Sequence, residues 1–109
     1  MNERAPTRRA SPIACTLNAS DLPARLAEWE AFGRSSVLAR AAGTVSARFR
    51  LRPGDEALVA AATLAEHEQA CCSFFEFSIA LEEGERWLCV GVPEGAEATL
   101  AGFVELLSR

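Results

Sequence analysis

The segment TVSARFRLR, residues 44–52, alternates between polar and apolar side chains along its whole length. Successive side chains of an extended chain point to opposite faces, so the apolar residues form one face and the arginines the other. This pattern predicts a β-strand that packs on a core through one face only. A sheet built from such strands needs helices on its apolar side.

Helices are predicted on both sides of this strand. Residues 53–54 end the strand, and Asp55 is a candidate N-cap for a helix that runs to about Cys71. An earlier helix begins near residues 20–23, where a capping residue precedes a proline, and ends near residues 33–36. Its apolar residues recur at helical spacing and predict the buried face, which comprises Leu22, Leu26, Trp29 and either Phe32 or Gly33.

Period-two patterns predict the remaining strands. Short strands are expected at residues 13–17 and 37–41, and a hairpin with strands at residues 74–81 and 87–92 is expected around the turn at Glu83-Gly84. Residues 96–107 have the pattern of an amphipathic C-terminal helix. The sequence therefore predicts an α+β fold, an antiparallel or mixed sheet with helices on one face. Its core is expected to be ferredoxin-like, with the order βαββαβ, plus an extra strand and the C-terminal helix.

Length, charge and hydropathy limit the class of protein. The 109 residues fit one domain, predicted at residues 13–109 behind a flexible N-terminal segment at residues 1–12. The formal net charge of −4 argues against nucleic acid as a direct partner. No apolar run approaches the roughly 20 residues that span a bilayer, and no secretory signal is evident, so a cytoplasmic protein is expected. In that compartment the four cysteines are expected to be reduced thiols.

A candidate metal site lies near the end of the second helix. His67 and Cys71 are four residues apart and project from one side of it, as Glu68 and Cys72 do on the adjacent stripe. Thiolate and imidazole are the ligands that soft metals such as Zn(II), Cu(I) and Hg(II) prefer. Neighbouring residues point about 100° apart within a helix, so Cys71 and Cys72 can share an ion only where the helix ends.

A third sulfur would have to come from elsewhere in the chain. Cys15, on the predicted first strand, is the best candidate because it lies on the apolar face of that strand. Cys89 is a weaker candidate. The alternative for all four cysteines is packing, since cysteine is among the most frequently buried residues.

Glu68 is the least easily explained residue. A carboxylate on a stripe of Ala and Leu is costly unless it is hydrogen-bonded, protonated or bound to a ligand. The alternative to a ligand role is a salt bridge with a strand arginine, or a solvated position at the rim. The aromatic residues Phe74, Phe75 and Phe77 are expected to form core together with Trp87.

Three segments of the chain carry a family resemblance: residues 13–17 (IACTL), residues 21–29 (DLPARLAEW) and residues 68–75 (EQACCSFF). They resemble a small bacterial domain that is found alone or fused behind the DNA-binding helix-turn-helix of some MerR-type regulators. The resemblance implies an accessory or sensor-like domain without a DNA reader, with Cys15, Glu68, Cys71 and Cys72 as candidate site positions. His67 and Cys89 are not part of that pattern. Because MerR-type regulators commonly respond to soft metals or small effectors, it favours metal binding.

Three functions follow from these patterns. The first is a non-enzymatic module that binds a soft metal through Cys71, Cys72 and Cys15, assisted by Glu68 or His67. The second is an effector-binding or homodimerisation module whose cysteines only pack, with the arginine face as a dimer surface. The third is a thiol redox enzyme, for which no C-x-x-C motif or glycine-rich oxyanion loop is present.

Overall fold

The computed structural model describes residues 22–109. In chain order the elements are α1 (Leu22–Ser36), β1 (Val37–Ala42), β2 (Ser46–Leu51), α2 (Asp55–Cys71), β3 (Glu76–Glu82), β4 (Glu85–Gly91) and α3 (Glu97–Leu107). The predicted α+β class is confirmed. The N-terminal segment at residues 1–12 and the strand expected at residues 13–17 lie outside the described residues.

The strands form one antiparallel sheet in the order β1-β2-β4-β3. A tight turn joins β3 to β4, in which Glu83 and Gly84 have φ values of 51° and 80°. Positive φ at both central residues is typical of the hairpin turns that match the twist of the sheet. The turn therefore places β4 beside β3, and β4 also pairs with β2 on its other side.

The predicted βαββαβ core begins with the strand expected at residues 13–17, which lies outside the described residues, so only the later strands can be compared with it. In a βαββαβ core, the first strand lies between two later strands of the sheet. In the described residues that central place belongs to β4, and the element order is αββαββα. β4 contributes Leu88 and Val90 to the core, with exposed fractions of 0% and 2%.

One face of the sheet carries the core. Ala47, Phe49 and Leu51 of β2 are buried there, as the alternation in residues 44–52 predicts. Phe49 meets Phe103 of α3, with ring centroids 6.1 Å apart. The helices cover this face, which confirms the predicted one-sided arrangement.

The buried face of α1 differs from the predicted one. Trp29 and Phe32 are buried as expected, but Leu26 is 42% exposed. Arg25 is part-buried and Ser36 is buried instead. Positions 25, 29, 32 and 36 follow helical spacing, so α1 turns its Arg25 edge inward. The apolar pattern missed this orientation because it gave no weight to a polar side chain that has a buried partner.

Helices α1 and α3 approach each other closely at Gly33. A Cβ added at Gly33 would collide with the backbone carbonyl oxygen of Leu107, which is itself buried. The contact therefore requires a residue without a side chain. It fixes α1, and with it Arg25 and Trp29, against the rest of the core.

Within residues 22–109, no helix combines the length and the apolar character needed to cross a membrane.

Candidate thiol site at the end of α2

The site begins where α2 stops being helical. Cys71 is the last helical residue, and Cys72 follows with φ −128° and ψ 83°, outside the helical region. The amide of Cys72 still donates to the carbonyl oxygen of Glu68, 2.6 Å away, which closes the last turn. The two cysteines thus occupy a helix end, the one place where the sequence allowed their side chains to serve one site.

Glu68 is held by hydrogen bonds from α1. Its exposed fraction is 7%, and its Oε1 accepts from the indole Nε1 of Trp29 at 2.8 Å and from Nη1 of Arg25 at 3.4 Å. Buried carboxylates are tolerated when such donors replace water. The partners are residues of α1, so the alternative of a salt bridge to a strand arginine is wrong, and so is that of a solvated rim position.

Arg25 links Glu68 to the first cysteine. Its Nη2 lies 3.8 Å from Sγ of Cys71, and its Nε lies 3.6 Å from Glu28. Burial alone would lower the pKa of Arg25, but hydrogen bonds to Cys71 and Glu68 outweigh it and raise the pKa above its ordinary value. The guanidinium is therefore a fixed positive charge beside the Cys71 sulfur.

The two cysteines differ in chemical state. Cys71 is half-buried and retains its thiol, whereas Cys72 is 5% exposed and disulfide-bonded. The expectation that every cysteine is reduced is therefore wrong for Cys72. Sequence spacing could not reveal this because no local pattern distinguishes a buried cysteine that packs from one that is bonded.

The other predicted metal ligands do not join Cys71 in the described residues. His67 is exposed, and Cys15 lies outside the described residues. Among residues 22–109, no group of three or more His, Cys, Asp or Glu side chains is arranged to hold a metal. The structure thus brings Glu68 and Cys71 together around Arg25, but it does not add His67 to them as a three-donor set.

The aromatic cluster beside the site belongs to the core, as predicted, but it contains Trp29 in place of the expected Trp87. Phe75 contacts Phe74 and Phe77, with ring centroids 4.6 Å and 5.6 Å away. Phe77 stacks on Trp29 at 5.9 Å with an interplanar angle of 10°. The expected member Trp87 lies on the opposite face of the sheet, because it alternates with the buried Leu88 along β4. Trp29 takes its place.

The sheet face that the helices do not cover, called the open face below, carries a second thiol. Cys89 is level with Arg48 of β2 on one side and Ser78 of β3 on the other. Arg48 donates to Glu82 at 2.8 Å and lies over the Trp87 ring at 4.3 Å. Hydrogen bonds to Glu82 and to Cys89 raise the pKa of Arg48.

Two arginines of the open face have acidic partners within the chain, whereas Arg52 donates to the backbone carbonyl oxygen of Ser35 at 2.7 Å. Arg48 pairs with Glu82, and Arg50 donates to Glu85 at 3.2 Å. A groove of about 490 Å³ is lined by Ser46, Cys89 and Gly91, and also by Gln69 of α2. These two ion pairs neutralise part of the positive charge of the face within the chain itself.

Sequence reasoning missed Arg25 and Trp29 as members of the site. A signal was present, since the two residues are four apart and share one side of α1. An arginine and a tryptophan on the same helix face as the core offer the donors that a buried carboxylate such as Glu68 requires.

Comparison with known proteins adds no relative: no protein-family model, curated protein or solved structure matches this chain significantly.

Proposed function

We propose that this domain is a thiol-based binding module for soft metal ions, and that its binding-competent form is the one in which Cys72 is reduced. The observation that supports this proposal is the placement of Cys71 and Cys72 at a helix end beside a part-buried cation. Cys71 ends α2, Cys72 has left the helical conformation, and Arg25 lies 3.8 Å from the Cys71 sulfur. Two sulfur donors in succession are suited to Zn(II), Cu(I) or Hg(II).

The proposed ligands are Cys71 and Cys72, with Cys15 as the third sulfur that the sequence predicts. Glu68 is already engaged by Trp29 and Arg25, so its role in the proposal is to position Arg25 rather than to bind the ion. The exposed His67 is left out of the ligand set.

Arg25 gives the site a suitable charge. Three thiolates around a divalent ion carry one net negative charge, which is costly at a half-buried position unless a cation compensates it. The Arg25 side chain is 15% exposed, and its guanidinium lies within hydrogen-bond distance of Cys71 and Glu68. The resemblance to domains fused to MerR-type regulators supports the same choice of ligand.

The experiment is a titration with Zn(II) and Hg(II) before and after reduction. Disulfide-bonded sulfur is a poor ligand, so we expect the oxidised protein to bind at least tenfold more weakly than the reduced protein. Cys71→Ser and Cys72→Ser should each lose most of the affinity of the reduced form. Cys89→Ser is the matched control, because its thiol lies on the other face of the sheet, and it should bind like the wild type. Wild-type affinity in a reduced double variant lacking both Cys71 and Cys72 would refute the proposal.

One observation favours a second function. Cys72 belongs to the buried core and Cys71 packs against it, as expected if the cysteines only stabilise an effector-binding or homodimerisation module. In that case the serine variants would unfold at lower urea concentration, by a few kcal/mol at the buried position, with no metal affinity to lose. Light scattering of the wild type tests the dimer directly.

A further inference from the structure

The two edge strands of the sheet, β1 and β3, differ in how they are protected. An edge strand leaves one row of backbone amides and carbonyls without a strand partner, and proteins protect such rows with bulges and with charges on the core side. β1 has both, a register shift between Val37 and Ala39 and Arg40 on the helix side of the sheet. β3 pairs with β4 in continuous register over residues 76–82, and in the described part of the chain no strand lies on its other side. β3 is therefore the edge that can accept another strand.

β3 also carries exposed apolar side chains on the side of the sheet that the helices cover. Ile79 lies opposite the buried Leu88, and Leu81 follows two residues later on the same side. The exposed fractions of these two β3 side chains are 39% and 70%. A strand added beside β3 would remove both from water, which favours apolar residues at every second position of that strand.

The other side of β3 is acidic. Glu76 and Glu82 lie on the open face at the two ends of the strand, and Glu83 follows in the turn. Glu82 pairs with Arg48, whereas among residues 22–109 no ion pair includes Glu76 or Glu83. A second copy of β3 would bring these carboxylates together, and like charges across neighbouring strands are destabilising. A strand with basic residues on this face complements them instead.

We propose that β3 is a docking edge for an extended segment of another protein in which basic residues alternate with apolar ones. The backbone of the segment continues the sheet through hydrogen bonds to β3, and its side chains give the specificity. Its apolar residues pack beside Ile79 and Leu81, and its basic residues lie beside Glu76 and Glu82. The inference goes beyond the proposed metal binding, since no residue of β3 is a proposed ligand.

The experiment measures the binding of a fluorescent heptapeptide in which arginine alternates with valine (RVRVRVR) to the full chain. This peptide should bind about tenfold more tightly than the matched peptide with glutamate in place of arginine, and high salt should weaken it about threefold. Leu81→Lys places a charge against the incoming strand and should weaken binding about tenfold. Val59→Lys is the matched control, because it adds the same charge at a 62% exposed position of α2, and it should bind like the wild type.

A second measurement separates strand addition from attraction between charges alone. N-methylation removes the amide hydrogen, and the amides of successive residues in a strand point to opposite edges. A peptide methylated at its arginines and one methylated at its valines should therefore differ about tenfold in affinity, since only one set of amides faces β3. Equal affinities of the two methylated peptides would overturn the proposal.

Two other occupants of this edge would give results of their own. A wild-type dimer that Leu81→Lys dissociates, detected by light scattering, would assign the edge to a second copy and would overturn the proposal. No binding of the arginine peptide by the folded full chain, as expected if residues 1–21 close the edge, would overturn it as well.

Discussion

An arginine lies beside a cysteine on each side of the sheet: Arg25 beside Cys71 among the helices, and Arg48 beside Cys89 on the open face. The two pairs differ in how far they are exposed to solvent. On the helix side, Arg25 is 15% exposed and is held by the buried Glu68. On the open side, Arg48 is 41% exposed and is held by Glu82, which is 55% exposed. The same residue types therefore give a rigid, low-dielectric site on one face and a solvated ion pair on the other.

The difference explains why we propose the functional site at Cys71 rather than at Cys89. A charge that is shielded from water acts strongly on its neighbours, whereas a solvated one is screened by water and salt. The tryptophans repeat the contrast, since Trp29 is 1% exposed and donates to Glu68, while Trp87 lies under Arg48 on the open face. Matched substitutions on the two faces can test each step of this comparison.

The tryptophan pair should give the largest difference. Trp29→Ala removes a buried ring that contacts Phe32, Phe77 and Phe103, and it leaves the Glu68 carboxylate without its shortest hydrogen bond. We expect a loss of about 3–5 kcal/mol in the free energy of unfolding, measured in urea. The matched change Trp87→Ala should cost about 1–2 kcal/mol. Equal losses would mean that the open face is part of the core.

The glycine pair should differ less. Gly33→Ala forces a methyl group against the backbone of Leu107, so we expect a loss of about 1–3 kcal/mol despite the better helix propensity of alanine. At Gly91 the added Cβ meets the carbonyl oxygen of Val45 at an ordinary 3.8 Å. Gly91→Ala should therefore change the stability by less than about 1 kcal/mol. The free energies of unfolding of both variants are measured in urea. An unchanged stability of Gly33→Ala would contradict the close approach of α1 and α3.

The carboxylate pair should give a difference no larger than that of the glycine pair, and its two members should respond differently to salt. Glu68→Gln weakens the hydrogen bonds from Trp29 and Arg25 in a buried place, and we expect it to cost about 1–3 kcal/mol, little affected by salt. Glu82→Gln removes an exposed partner of Arg48 and should cost about 0–1 kcal/mol, falling further in 1 M salt. Thermal unfolding at low and high salt separates the two cases. A strong salt effect on the Glu68 variant would place that carboxylate in solvent.

Most of the fold could be predicted from the sequence, because the buried faces of β2, β4 and α3 follow regular periods. The orientation of α1 could not, since hydrophobic spacing gave Leu26 more weight than Arg25. The arginine lies inward because its partner Glu68 is 43 residues away in the chain, and pairings at that distance leave no local pattern.

The candidate cysteines could be identified from the sequence, but the residues that surround them could not. The double cysteine and the unusual position of Glu68 were visible from residue type and spacing alone. The donors that hold Glu68, and the different states of Cys71 and Cys72, depend on how α1 packs against the end of α2. Such contacts follow from tertiary packing and were beyond the reach of sequence periodicity.

The central claim is that the reduced cysteines near the end of α2 act together on one soft metal ion. The most direct measurement uses reduced Cys89→Ser, which keeps Cys15, Cys71 and Cys72, and counts reactive thiols as Hg(II) is added. Our account predicts that one equivalent of Hg(II) protects at least two of the three thiols at once. Protection of a single thiol per equivalent, with the others still reactive, would show that the cysteines act independently and would contradict the account.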